Sequence, residues 1–200
     1  VRKIEDENVK VINIVPSEDL GNILNFDNNV IQNNLKMGYY DAMRVIRGLK
    51  GKRYYIESVA RESTFLYSLL SLPKKSIKEI GEMMGLPLME PRRMLFERIL
   101  PEVAHMLALP VTATYQDIIL GVLEGAAKER EIERYKIRKF GSFLEEIKAV
   151  ASKEKSTSFS LISNIAGKTK LKSVFAKEMI LKKVEDELLD VLKQEKFDEV

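Results

Sequence analysis

Residue types that do chemistry are sparse in this chain and seldom stand together. Nucleophilic serines of strand-turn-helix hydrolases sit in Gly-x-Ser-x-Gly, where the glycines permit the strained turn that exposes the hydroxyl. The one glycine pair at that spacing is Gly121-Val122-Leu123-Glu124-Gly125, with leucine at its centre. It lies in a helical pattern, so close packing against a neighbouring helix is its expected role. Gly51-Lys52 and Gly167-Lys168-Thr169 lack the upstream glycine of a phosphate-cradling loop. Glu129, Glu131 and Glu133 alternate with Lys128, Arg130 and Arg134. Positions two apart on a helix do not face each other, so these carboxylates are read as a solvated face, not an acid-base or ion-binding cluster. His105 stands in the apolar run Val103-Ala104-His105-Met106-Leu107 and is read as a semi-buried, hydrogen-bonded side chain. A single histidine and no cysteine exclude two-histidine metal sites, disulfides, thiolate zinc sites and cysteine nucleophiles within this sequence. No catalytic, metal-binding or cofactor-binding residue is assigned, and no cofactor is expected.

The elements that would position any site are mostly helices. Residues 9–15, Val-Lys-Val-Ile-Asn-Ile-Val before Pro16, have the β-branched character of a strand. They are the strongest strand signal, and a lone strand needs a neighbour for its backbone donors and acceptors. Ser17 to Gly21 reads as a capped turn. Asp27 then caps a helix over 28–49 whose apolar face is Ile31, Leu35, Tyr39, Ala42, Ile46 and Leu49, ended by Gly48 and Gly51. A short extended piece over 52–56 and a helix over 57–72, stopped by Pro73, follow. Ser76-Ile77-Lys78-Glu79 reads as a capping box opening a helix that runs to Gly85. Pro87 and Pro91 frame a loop, 94–107 is helical around Pro101, and Thr114-Tyr115-Gln116-Asp117 opens a helix to about Lys139. Gly141-Ser142 breaks the pattern before 143–151. A polar linker over 156–160 leads to a long last helix over 173–196 with Val174, Ile180, Leu181, Val184, Leu188, Leu189 and Leu192 as its stripe. The expected fold class is mostly α: a helical domain over 51–200, preceded over 1–50 by one strand and one helix.

Composition agrees with a globular chain, at 45% apolar and 32% charged residues. The 33 basic and 30 acidic residues leave a net charge of +3, too balanced to favour nucleic acid. No run approaches the ~20 apolar residues of a membrane span. The start, Val1 to Glu7, is acidic without an apolar core, unlike a signal peptide, and lacks an initiating methionine, as a fragment or processed chain would. The absence of cysteine fits a reducing compartment, so the expected location is cytoplasmic.

Residues 9–46 carry the most specific signal. Val11-Ile12-Asn13-Ile14-Val15-Pro16-Ser17-Glu18-Asp19-Leu20-Gly21 leads to Ile23-Leu24-Asn25-Phe26-Asp27, then to Asn33-Asn34-Leu35-Lys36-Met37-Gly38-Tyr39-Tyr40-Asp41. This order resembles the last strand, following loop and last helix of bacterial patatin-like phospholipase domains. Those end in a strand running into proline, a leucine-glycine turn, a phenylalanine, and a helix carrying Gly-Tyr-x-Asp. The region around Pro91-Arg92-Arg93-Met94-Leu95-Phe96-Glu97 is similar to the helical extension of longer members. The resemblance implies a parent enzyme that hydrolyses lipid esters through a covalent serine ester, with this chain lying C-terminal to the active site. The family's Gly-x-Ser-x-Gly, Asp-Gly and glycine-rich oxyanion loop have no counterpart here, so no catalytic residue carries over. The implied partner is the catalytic patatin-like domain of the same parent chain. A second copy of this chain is the alternative pairing for the strand.

Two other readings rest on charge and pattern. Residues 148–183 hold nine lysines against two acids, a net of +7, while 184–200 hold seven acids against two lysines, a net of −5. Lys168, Lys170, Lys172 and Lys177 are the candidate contacts for anionic membrane lipid, which would make the chain peripheral to a membrane. The run 76–86 resembles the first helix of a helix-turn-helix, with Leu88-Met89-Glu90-Pro91 awkward before Arg92-Arg93 in a recognition helix. A DNA-binding module, or a helical adaptor that lends its strand to a partner's sheet, is therefore the alternative to the non-catalytic phospholipase region. Without nucleophile, acid partner or oxyanion loop, the purified chain is expected not to turn over chromogenic esters or phospholipid vesicles. Turnover abolished by a serine-directed covalent inhibitor would contradict this.

Overall fold

The computed structural model describes residues 11–21, 27–57, 61–154 and 169–192, and within these the side chains of all but 152–154 and 169–175. The described chain is mostly helical: α1 (Asn28–Arg47), β1 (Tyr55–Glu57), α2 (Glu62–Leu70), α3 (Lys74–Met83), α4 (Pro91–Met94), a π-helical turn (Leu95–Ile99), α5 (Leu100–Met106), α6 (Tyr115–Glu129), β2 (Ile137–Lys139), α7 (Phe140–Glu154) and α8 (Thr169–Val191). The strands β1 and β2 pair in parallel, Tyr55 with Ile137, Ile56 with Arg138 and Glu57 with Lys139. Lys50 adds an antiparallel bridge to Ile56.

Several local signals act as their chemistry dictates. The Asp27 carboxylate accepts the Asn29 N–H at 2.7 Å and starts α1, and Gly48 ends it at φ 64°. Thr114 and Asp117 form a reciprocal capping box, with the Asp117 carboxylate accepting the Thr114 N–H at 2.9 Å and Thr114 Oγ1 accepting the Asp117 N–H at 3.2 Å. Pro101 offers no N–H to the carbonyl four residues back, and its ring crowds that carbonyl. The helix widens just before it, and the Leu100 N–H bonds the Leu95 carbonyl five residues back.

Other expectations are overturned. Of the anticipated first strand, Val9 and Lys10 lie outside the described residues, and residues 11–15 form no strand. Among the described residues no neighbouring strand reaches them to take up their backbone groups. The box at Ser76 and Glu79 does not form. Helix α3 starts earlier, with Pro73 at its N-cap, which leaves Ser76 buried inside the helix and Glu79 free to pair with Lys183 of α8 at 2.9 Å. Helix α2 begins at Glu62, not Glu57, because Glu57 belongs to β1. Helix α7 begins at Phe140 and runs through Gly141-Ser142 without a break. Helix α6 stops at Glu129 instead of reaching Lys139, since the backbone turns at Glu131 with φ 52°. The Ile132 N–H bonds the Ala127 carbonyl and the Glu131 N–H bonds the Lys128 carbonyl, a Schellman close made without glycine. The acids at 129, 131 and 133 are exposed but do not share a helix, while Arg130 pairs with Glu185 of α8 at 2.8 Å with both side chains buried.

The core gathers β1 with the inner faces of α2 to α8. Phe65 meets Phe140 edge-on at 5.3 Å, and Tyr54 packs on Phe143 at 5.1 Å. The expected α8 stripe is inward at Ile180, Val184, Leu188, Leu189 and Leu192, with Leu181 half-buried; Val174 lies outside the described side chains. Gly121 meets its expected role, since a Cβ there would lie 3.1 Å from Leu107 Cδ1, whereas Gly125 faces open space.

One carboxylate ties these layers together. Glu124 of α6, 7% exposed, accepts the backbone N–H groups of Lys52, Arg53 and Tyr54 at 3.0, 2.8 and 2.7 Å. Burial raises its pKa, and the three N–H groups oppose that rise without cancelling it. Glu124→Ala leaves three backbone donors, the Tyr54 N–H among them buried, without their acceptor and is expected to cost about 3 kcal/mol in denaturant melts at neutral pH. A loss under about 1 kcal/mol would mean other contacts hold the loop. The folded state holds the Glu124 proton more tightly than the unfolded chain does. Its contribution is therefore fullest below the ordinary glutamate pKa and falls as pH rises through the folded value. Glu124→Gln is expected to flatten that fall.

Candidate functional site

Helix α1 is attached to the body by its polar side. Asp41, 2% exposed, accepts hydrogen bonds from the Ser17 N–H at 2.8 Å, Arg44 Nη1 at 2.9 Å and the Tyr55 hydroxyl at 3.0 Å. Burial pushes the Tyr55 pKa up, so the hydroxyl stays a proton donor. The Arg44 guanidinium lies 4.4 Å from the Tyr55 ring centre and donates to the Tyr54 carbonyl at 3.3 Å. Tyr40 stacks between Tyr55 and Tyr135, at 5.0 and 5.7 Å. Met37 completes the inner face.

The 17–21 turn is latched to the same region. Arg134 donates to Ser17 Oγ at 2.8 Å, to Glu18 at 2.7 Å and to the Arg53 carbonyl at 3.2 Å. Arg53 also pairs with Glu18, and Asn34 donates to the Leu20 carbonyl at 2.9 Å. Asp41 has three donors and Glu18 two arginines, so both carboxylates hold structure in place, while the buried Arg44 Nε, Arg53 Nε and Tyr135 hydroxyl of the same cluster have no hydrogen-bond partner among the described residues.

What this attachment leaves outside is the helix's apolar stripe. Ile31, Leu35, Tyr39 and Ile46 are exposed, Leu35 at 62% and Ile46 at 67%. Of the face expected to turn inward, only Leu49 is buried, and Ala42 is half-buried. The stripe runs about 22 Å along the helix. Val11, Ile12, Ile14, Val15 and Leu20 are exposed before it. Of sixteen large apolar residues on the described surface, ten fall between Val11 and Ile46. Such concentration is unusual among the described residues, since single exposed apolar residues scatter on ordinary surfaces.

The other expected sites are less developed. Lys168 lies outside the described residues; Lys170 and Lys172 are on α8 with side chains outside them, and Lys177 is exposed. Lys182 and Lys183 are half-buried in ion pairs, with Glu185 at 3.0 Å and with Glu79 and Glu187 at 2.9 Å each. His105 is not semi-buried: its side chain is 85% exposed and 3.7 Å from Glu102, because the apolar neighbours Val103 and Met106 take the inner positions of α5. Among the described residues no three His, Asp or Glu side chains gather to hold a metal, and no helix is long and apolar enough to cross a membrane.

Sequence reasoning passed over Glu124 and Asp41. Glu124 had a visible signal, a lone carboxylate in the run Ile118-Ile119-Leu120-Gly121-Val122-Leu123-Glu124-Gly125-Ala126-Ala127. Asp41 closes the Gly-Tyr-x-Asp run, but nothing local marked it as buried, since two of its three partners, Ser17 and Tyr55, lie 24 and 14 residues away. Comparison with protein-family models, with curated proteins and with solved structures finds nothing that matches the chain.

An exposed stripe predicts a distinctive mutational pattern. Leu35→Glu with Ile46→Glu is expected to change the chain's own stability by less than about 1 kcal/mol. The same pair is expected to abolish binding of an apolar dye to the surface. A loss of several kcal/mol would show that the stripe is core.

Proposed function

We propose that this chain is the non-catalytic helical region that follows the catalytic domain of a patatin-like lipid acyl hydrolase, and that its first fifty residues pack onto that domain. The supporting observation is a coincidence of two independent features. The residues that resemble the family's last strand and helix, Val11 to Asp41, are also where exposed apolar surface concentrates. A strand buried in a parallel sheet reads as a continuous apolar run, as Val11-Ile12-Asn13-Ile14-Val15 nearly does. A helix crossing such a sheet needs an apolar stripe at three- and four-residue steps, as Ile31, Leu35, Ala42 and Ile46 supply. Both surfaces would then be interior to the joined protein, and α1 would be the rigid link between catalytic domain and helical body.

The DNA-binding alternative fits less well. Seven residues, 84–90, separate α3 from the helix that would enter a groove. Arg92 donates to the Leu72 carbonyl at 2.9 Å, and Arg93 grips Glu97 with two bonds at 2.9 and 3.0 Å. Neither arginine is left uncommitted for phosphate or base edges.

The coding sequence upstream of Val1 tests the proposal directly. It is expected to encode Gly-x-Ser-x-Gly followed by Asp-Gly, and the joined protein is expected to hydrolyse lipid esters with sensitivity to a serine-directed inhibitor. An upstream frame without those motifs overturns the reading.

A further inference from the structure

The attachment of the 17–21 turn leaves a surplus of donors. Three guanidiniums gather around residues 53 and 54. Arg44 donates to the Tyr54 carbonyl, Arg134 donates to the Arg53 carbonyl, and Arg53 shares the Glu18 carboxylate with Arg134. The Arg134 side chain is 9% exposed and its guanidinium lies 5.0 Å from the Tyr135 ring centre. In the same cluster Arg44 Nε, Arg53 Nε and the Tyr135 hydroxyl are buried and have no hydrogen-bond partner among the described residues. Unpaired buried polar groups are rare in native proteins, and each marks a place that a water or an ion completes. The two Nε–H groups can only donate, so whatever completes them must accept.

The acids of the cluster differ in their freedom. Asp41 pairs with Arg44 and already holds three donors. Glu124 also acts on Arg44, but burial disfavours its charged form and its oxygens are taken by three backbone N–H groups. Glu18 is the one acid open to solvent, at 41% exposure. Each of its oxygens is held by one guanidinium, Oε1 by Arg53 and Oε2 by Arg134. Two arginines chelate a phosphate or a carboxylate in this way. The Glu18 carboxylate therefore stands in for an oxyanion at the arginine pair. A phosphate group supplies the same two oxygens, adds a third, and carries a second negative charge into a cluster where guanidinium donors outnumber their acceptors.

We propose that Arg53 and Arg134 form an oxyanion site of the phosphate class, which Glu18 fills in the free chain and from which a soluble phosphate displaces it, loosening the 17–21 turn. The inference stands on this cluster alone and survives if the catalytic-domain proposal fails. Inorganic phosphate is titrated into the labelled chain at fixed ionic strength, with chloride as the balancing anion. It is expected to shift the amide signals of Ser17 to Gly21 saturably, together with the side-chain Nε–H signals of Arg53 and Arg134. Glu18→Gln removes the competing charge at nearly constant size and is expected to tighten phosphate binding at least tenfold, on the order of one charge-assisted pair. A variant that only damaged the fold would weaken binding instead. In the Glu18→Gln background, Arg53→Lys keeps the charge but loses the planar fork, and is expected to weaken phosphate about tenfold. Affinity that is unchanged or lower in Glu18→Gln would overturn the site. Shifts that chloride reproduces, or the absence of saturation, would also overturn it and leave ordered water as the partner of the unpaired donors.

Discussion

A single carboxylate placed in an apolar helix organises the middle of this protein. Glu124 gathers three successive backbone N–H groups from a loop seventy residues earlier in the chain. Gly51 makes the approach possible. Its φ of 95° suits glycine, and a Cβ there would stand 2.6 Å from the Glu124 carboxylate. The loop so fixed delivers Tyr54 to the core and Tyr55 to the sheet, and from this point the rest of the arrangement follows. The strand β1 pairs with β2, and the Tyr55 hydroxyl becomes the anchor for Asp41 of α1. A group that burial discourages from ionising is thus held by donors that would otherwise lack acceptors, and each satisfies the other's need.

The attachment of α1 inverts the usual relation between amphipathic helix and core. The helix turns Asp41, Arg44 and Met37 toward the body and its apolar residues toward solvent. A polar contact network of this kind is directional, since hydrogen bonds and ring stacking fix orientation more tightly than apolar burial does. It sets the angle at which the stripe is presented. The latch from Arg134 to Ser17 and Glu18 then holds the 17–21 turn beside the helix. The 17–21 turn is therefore fixed relative to the helix.

The helix from Pro91 to Met106 is shaped by a proline. The widened turn before Pro101 lets the helix from Pro91 to Met106 continue without a break, and so keeps Arg98, Pro101 and Glu102 along one groove. Packing around that helix is tight elsewhere: Gly81 admits the Met94 side chain so closely that any Cβ would collide with its sulfur. The groove opens where α3 has ended.

Much of this was legible from local chemistry. Asp27, Gly48, Gly85, Thr114 and Asp117 act within one turn of themselves, so their effects do not depend on the rest of the chain. The α8 stripe was legible because apolar spacing and burial agree there. Helix ends closed by Ala108 at φ 51° and Glu131 at φ 52° were hidden, because a left-handed residue other than glycine leaves no mark in the sequence. The strand at 137–139 was hidden for the same reason, its helix pattern continuing past the point where the backbone turns. Periodicity showed that α1 has an apolar face but not which way that face points. That choice was made by Asp41, whose three donors converge only once Ser17, Arg44 and Tyr55 are brought together in space. By itself the sequence determined that the chain is mostly helical, where several helices begin and end, and that one of them carries an apolar stripe. Only the tertiary structure decided that the stripe faces outward, because satisfying a buried carboxylate outweighed burying four apolar side chains, of which Tyr39 keeps an edge contact with Tyr40.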